Sequence, residues 1–166
     1  MKLYLARHAS AHDVAPSDAA RSLTLEGQEE ARIVGAAMAQ LQAIPTRIFS
    51  SPLLRARQTA QIAARAMQFT GEVETLEELR NDTGTEELLR TLKRSGGGAD
   101  VLLVGHMPDL SDHLAILVGA SEPRMGFGKA SVACVDLPEL RPKSGQLVWF
   151  HSQKQLREFA KQDALG

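Results

Sequence analysis

Cys134 is the only cysteine in the chain's 166 residues. That excludes an internal disulfide and any cysteine-built metal cage. A dominant charge is missing too. The 19 basic and 20 acidic residues leave a net charge of −1, which excludes a strong global pull toward nucleic acid or an anionic membrane. No apolar run is long: the longest, residues 114–120, falls far short of a bilayer span. The apolar start of the chain is broken at Arg7, too early for a signal-peptide core, so the expected location is cytoplasmic. No GxxxxGK[ST] loop is present, which argues against an ATP-driven enzyme. No dense Asp/Glu/His cluster is present either, so neither a metal nor another cofactor is expected.

What is there reads as one soluble domain over residues 1–166. Its 43% hydrophobic and 23% charged content is ordinary for a globular protein. Apolar runs bounded by breakers predict strands near residues 2–6, 47–50, 72–76, 101–104, 131–137 and 146–151. Apolar residues at helical spacing predict helices over 24–41, 85–94, 108–118 and 153–161. Another helix is expected after Ser51 as a cap and Pro52 as its first residue. Its apolar stripe is Leu53, Ala56, Ala60, Ala63 and Met67, while Arg55 and Thr59 share a different face. Residues 9–22, small and polar with Pro16, read as a loop, and Ser95, Gly96, Gly97 and Gly98 as a connector. Strands alternating with helices predict an α/β sandwich on a largely parallel sheet.

In such sheets the site lies beyond the carboxyl ends of the strands. Three loaded segments fall there: Arg7-His8, the stretch from Ser50 to Arg55, and Gly105-His106. If Arg7, His8, Arg55 and His106 converge, two guanidiniums offer forks of donors suited to a tetrahedral oxyanion. Amides at the start of the helix after Pro52 add to such a site. A histidine among arginines is discouraged from taking a proton, because positive neighbours lower its pKa. It keeps a free lone pair at pH 7, as a nucleophile for phosphoryl transfer requires. His12, His113 and His151 have no such company and read as structural, and the paired glutamates read as solvated helix faces.

Four segments taken together, "LARHAS", "LTLEGQEEA", "SSPLLRARQTA" and "VGHMP", resemble the histidine phosphatase superfamily in composition and order. Within it the short chain is most similar to phosphohistidine phosphatases of the SixA type. The resemblance implies a three-layer, phosphoglycerate mutase-like α/β/α sandwich and a metal-free reaction. It also implies roles. His8 matches the nucleophile that becomes phosphorylated, Arg7 and Arg55 the phosphate-binding arginines, and His106 the histidine that holds the transferring group. Glu78, in "LEELRND", falls where many members place a proton donor, and Ser10 is a candidate phosphate contact. One departure is Ala9, where the family usually has glycine; it is tolerable if φ is negative, and it leaves the amide available. Only 33 residues, 68–100, separate the Arg55 helix from the strand before His106. That is too few for the wall that larger relatives build over the pocket, so a phosphate presented on a partner protein is expected, and the resemblance implies that it is phosphohistidine. A small phosphorylated molecule, hydrolysed or isomerised, is the alternative within enzymes, and a phosphate-binding module without turnover is the alternative outside them.

Overall fold

A computed structural model describes residues 1–123 and 125–161. Its elements follow the sequence in the order β1 (Lys2–Arg7), α1 (Leu25–Gln40), β2 (Arg47–Ser50), α2 (Leu54–Ala66), β3 (Val73–Thr75), α3 (Thr85–Arg94), β4 (Val101–Gly105), α4 (Asp109–Val118), β5 (Val132–Asp136), β6 (Gln146–His151) and α5 (Gln153–Lys161). Short 3₁₀ turns occupy Asp18–Ala20 and Glu77–Leu79. The strands form one sheet in the order β3-β2-β4-β1-β5-β6. β1, β2, β3 and β4 pair in parallel, whereas β5 pairs antiparallel to both β1 and β6. The sheet is therefore mixed, with β5 the strand that departs from the expected parallel run.

Alternation along the central strands explains the layers. Tyr4 and Ala6 of β1, Leu102 and Val104 of β4, and Val132 and Cys134 of β5 face one way, onto α1, α2 and α5. Leu3 and Leu5, Val101 and Leu103, and Ala133 and Val135 face the other way, onto α3 and α4. Both faces are covered, so β4 is apolar at four consecutive residues and buried along its length. These faces form two cores on either side of the sheet, and burial of each leucine contributes about 2 kcal/mol.

The layer holding α1 and α2 is built from small residues. Ala31, Ala37, Ala56, Ala60 and Ala63 are all essentially inaccessible. Gly35 permits the closest approach, since a Cβ there would lie 2.2 Å from the Ala63 carbonyl oxygen. Thr24 caps α1 by accepting the Gly27 amide at 3.0 Å. The start of α2 differs from expectation. The helix begins at Leu54 with Leu53 as its cap residue, so Pro52 stays outside it, and the Ser51 hydroxyl accepts the Leu53 amide at 3.3 Å. Among the described residues no helix is long and apolar enough to cross a membrane.

Candidate active site

Connections from the carboxyl ends of β1 and β4 part company. The chain leaves β1 for α1 on one face, and leaves β4 for α4 on the other. The neighbouring strand ends therefore open a crevice at the switch point of the sheet. His8 and His106 stand on its two lips, the residues immediately after β1 and β4. Backbone ladders run on past the strands to fix them there. The His8 amide donates to Gly105 O at 3.1 Å, and the Arg7 amide to Ser131 O at 3.2 Å. The two imidazoles lie 5.1 Å apart between centroids, tilted by 52°.

His8 Nδ1 lies 2.8 Å from the Ala9 carbonyl oxygen. A carbonyl can only accept, so Nδ1 carries the proton and Nε2 the free lone pair. Burial, more than charge, keeps this ring neutral. Desolvation is the largest influence and the Ala9 bond opposes it; Arg55, Arg7 and Arg21 then press the same way as burial, bringing the pKa down to about 4. His106 is pushed down to about 3 by burial first, then by His8 and Arg55, with Asp18 opposing. The expected lowering by neighbouring arginines is present, as the secondary cause after burial.

Thr59 ties the first loop to α2. Its hydroxyl donates to the Arg55 carbonyl at 2.7 Å and accepts the Ala9 amide at 3.0 Å. The shared face of Arg55 and Thr59 is explained by this link, and the Ala9 amide is taken rather than available. Ala9 is fully buried and is absent from the residues of positive φ, so alanine fits where glycine is usual.

The guanidiniums flank the histidines. Arg7 donates from Nη1 to Phe127 O at 2.8 Å. Arg55, buried at the start of α2, donates from Nη1 to the Asp18 carbonyl at 2.9 Å and from Nη2 to its carboxylate at 3.2 Å. Ser51 Oγ accepts the Leu53 amide and lies 2.7 Å from His106 Nε2. When that hydroxyl donates to Nε2, the proton of His106 sits on Nδ1. Arg7 Nε, Arg55 Nε and His106 Nδ1 are buried without a hydrogen-bond partner. Buried donors of this kind are costly unless something accepts from them, and an oxyanion would.

Two sequence candidates sit differently. The Ser10 hydroxyl donates to Glu30 Oε1 at 3.0 Å and its amide to Glu30 Oε2 at 2.8 Å, so its donors hold the loop onto α1. Gly27 admits that loop, because a Cβ there would fall 1.9 Å from Ser10 O. Glu78 Oε1 accepts from the Thr91 hydroxyl at 2.7 Å, on the side of α3. His113 pairs with the Thr85 hydroxyl at 2.8 Å. Two residues of the site carried no mark in the sequence reading, Asp18 and Arg21, joined at 3.2 Å. Burial alone would raise the Asp18 carboxyl, but the bond from Arg21 and the charge and bond of Arg55 outweigh it and hold the group below its ordinary range. They lie in the loop 9–22, whose amphipathic pattern is absent; only the 3₁₀ turn at Asp18–Ala20 brings them to Arg55.

A lone-pair imidazole, a second neutral imidazole and two arginines with unsatisfied donors define the class of a histidine-based phosphoryl-transfer site. The comparisons agree. Residues 3–95 match the model of the histidine phosphatase superfamily (branch 1), and the chain belongs to that superfamily. It is 30% identical to phosphohistidine phosphatase SixA of Escherichia coli (strain K12), over 84% of this chain and 87% of that protein. It is similar to the solved structure of the protein histidine phosphatase SixA complexed with tungstate, with a TM-score of 0.85, 28% identity, and coverage of 94% of this chain and 99% of that one. A phosphoserine phosphatase of Entamoeba histolytica, solved with 3-phosphoglyceric acid, superposes with a TM-score of 0.69 over 93% of this chain and 98% of its own. At 20% identity that last likeness concerns the fold alone.

Proposed function

We propose that the chain is a metal-independent phosphatase that removes phosphoryl groups from phosphohistidine on a partner protein. One observation carries the reading: the bond from His8 Nδ1 to Ala9 O leaves Nε2 bare beside Arg7, Arg55 and His106. Nε2 attacks phosphorus, and the bond from phosphorus to the substrate nitrogen breaks with its electron pair returning to that ring. Water then displaces His8 from phosphorus, releasing phosphate and restoring the lone pair. Arg7, Arg55 and the Nδ1 proton of His106 take the charge on the phosphoryl oxygens throughout.

Support for the protein substrate comes from two sides. SixA, a phosphohistidine phosphatase by name, is related over most of both chains, and its structure holds tungstate, a tetrahedral oxyanion like phosphate. Residues 68–100 are spent on β3, a 3₁₀ turn, α3 and the glycine connector, which leaves no insertion to roof the crevice against a macromolecule. A phosphorus–nitrogen bond parts readily once the leaving imidazole is protonated, so this reading assigns no acid catalysis to Glu78. Ser10 acts in it through Glu30, by holding the loop.

A panel comparing a phosphohistidine-bearing protein with sugar phosphates and phosphoglycerates tests the proposal. Preferred turnover of the former is expected, along with an acid-labile phosphoenzyme that His8→Ala abolishes and a rate indifferent to excess EDTA. Turnover retained in His8→Ala removes the covalent route, and reversible loss under EDTA removes the metal-free one.

A further inference from the structure

A crevice that collects a phosphate dianion has reason to exclude carboxylates, yet Asp18 stands at its edge. Its carbonyl and carboxylate grip the buried Arg55, while its other carboxylate oxygen meets Arg21. The side chain itself is 65% exposed. A hollow of about 250 Å³, lined by Asp13, Ala15, Ser17, Asp18 and Arg21, opens beside it. Each carboxylate oxygen makes one of these bonds and retains a further lone pair, so the group can accept another donor from solvent or substrate. Two arginines keep it ionised, which disqualifies it as a proton donor and suits it to receive an N–H.

Resting on the phosphohistidine reading above, we propose that Asp18 is a specificity-determining residue, whose carboxylate accepts the free ring N–H of the substrate's phosphohistidine. The chemistry is symmetrical. His8 has its non-reacting nitrogen protonated and bonded to the Ala9 carbonyl; the substrate ring has its non-reacting nitrogen protonated and bonded to Asp18. As the nitrogen–phosphorus bond breaks, its electron pair stays on the substrate nitrogen, and the proton already on the other nitrogen makes the ring leave as neutral imidazole. No further proton is required. An ester presents no N–H at that place, and its phosphate meets only the extra negative charge.

The test compares Asp18→Asn with the unaltered protein on two substrates, phosphohistidine peptide and p-nitrophenyl phosphate. Losing one charge-assisted hydrogen bond is expected to lower kcat/KM for the peptide roughly 10- to 100-fold. Any loosening of Arg55 costs both substrates alike, so the expected signature is a loss on the peptide that exceeds the loss on the aryl phosphate by about tenfold or more. Equal losses on both substrates overturn the proposal, because Asp18 would then act only by positioning Arg55. Absence of peptide turnover in the unaltered protein overturns this proposal and the phosphohistidine reading together, and the two failures are thereby told apart.

Discussion

Acid should unfold this protein through the two imidazoles of the crevice. His8 titrates at about 4 in the folded chain and His106 at about 3, both against an ordinary value of 6.5. Their folded values are depressed, so the unfolded chain takes up protons first as the pH falls. The stability tied to each neutral ring is complete above pH 6.5 and drains away below it, down to the folded pKa. At pH 5 an unfolded imidazole has gained about 2 kcal/mol from protonation that the folded one has not. The pair together costs about 4 kcal/mol, a large share of the roughly 5–15 kcal/mol of a typical domain. With a urea dependence of about 2 kcal/mol per molar, the pair's share of the fall in midpoint between pH 7 and pH 5 should be roughly 2 M. His8→Asn isolates one half, since its amide can still donate to the Ala9 carbonyl but has nothing to titrate. Its loss over the same interval should be about 2 kcal/mol smaller. His113 and His151, also held low by burial, titrate alike in both proteins and cancel. Urea titrations that lose stability in parallel for the two proteins would refute the reasoning, because the His8 pKa would then lie near its ordinary value.

Three other substitutions probe the scaffold. Ser51→Ala leaves His106 Nε2 without the hydroxyl that lies 2.7 Å away; kcat should drop roughly tenfold with KM little changed, and Ser51→Thr should restore it. Thr59→Val keeps the shape but strands the Ala9 amide and frees the turn carrying His8; thermal unfolding should report a loss of about 1–3 kcal/mol. Gly27→Ala drives a methyl against Ser10 O, and a drop in Tm of roughly 2–4 °C for each kcal/mol of overpacking should follow. An unchanged Tm would mean that the Ser10 loop yields freely.

Much of this was legible beforehand for a physical reason. β4 announces itself as VLLVG because both its faces are buried, and α3 through leucines at helical spacing, Leu88, Leu89 and Leu92. Arg7, His8, Arg55 and His106 stand out because polar groups at the ends of apolar strands, or at the head of a helix, need a purpose. Asp18 and Arg21 lacked any such contrast. They lie in a polar loop, and their relation to Arg55 is made by a single 3₁₀ turn whose formation no periodicity foretells. Serine before proline predicts a helix cap at Ser51, with a polar pocket wall as the other reading. The helix instead starts at Leu54, and the hydroxyl turns to His106, a partner 55 residues away. The antiparallel β5 is equally silent in its own sequence, since an apolar strand buried on both faces reads alike in either direction.

Burial as the leading cause of the low His8 pKa separates two duties that the sequence alone merges. If the arginines' charge did most of the work, added salt would screen it and let the nucleophile take up a proton at higher pH. Screening shortens from about 10 Å at 0.1 M to about 3 Å at 1 M salt. Desolvation is insensitive to ionic strength, and the Ala9 bond is a contact within the fold. The nucleophile should therefore keep its pKa near 4 across that range, as a proton-coupled NMR titration of the His8 ring would read directly. Capture of the substrate is different, because Arg7, Arg55 and Arg21 act on an anion arriving through water. KM should rise with salt while kcat holds. A salt-dependent shift of the His8 titration by a full pH unit would return the neutral imidazole to the arginines' account and make binding and nucleophilicity a single electrostatic device.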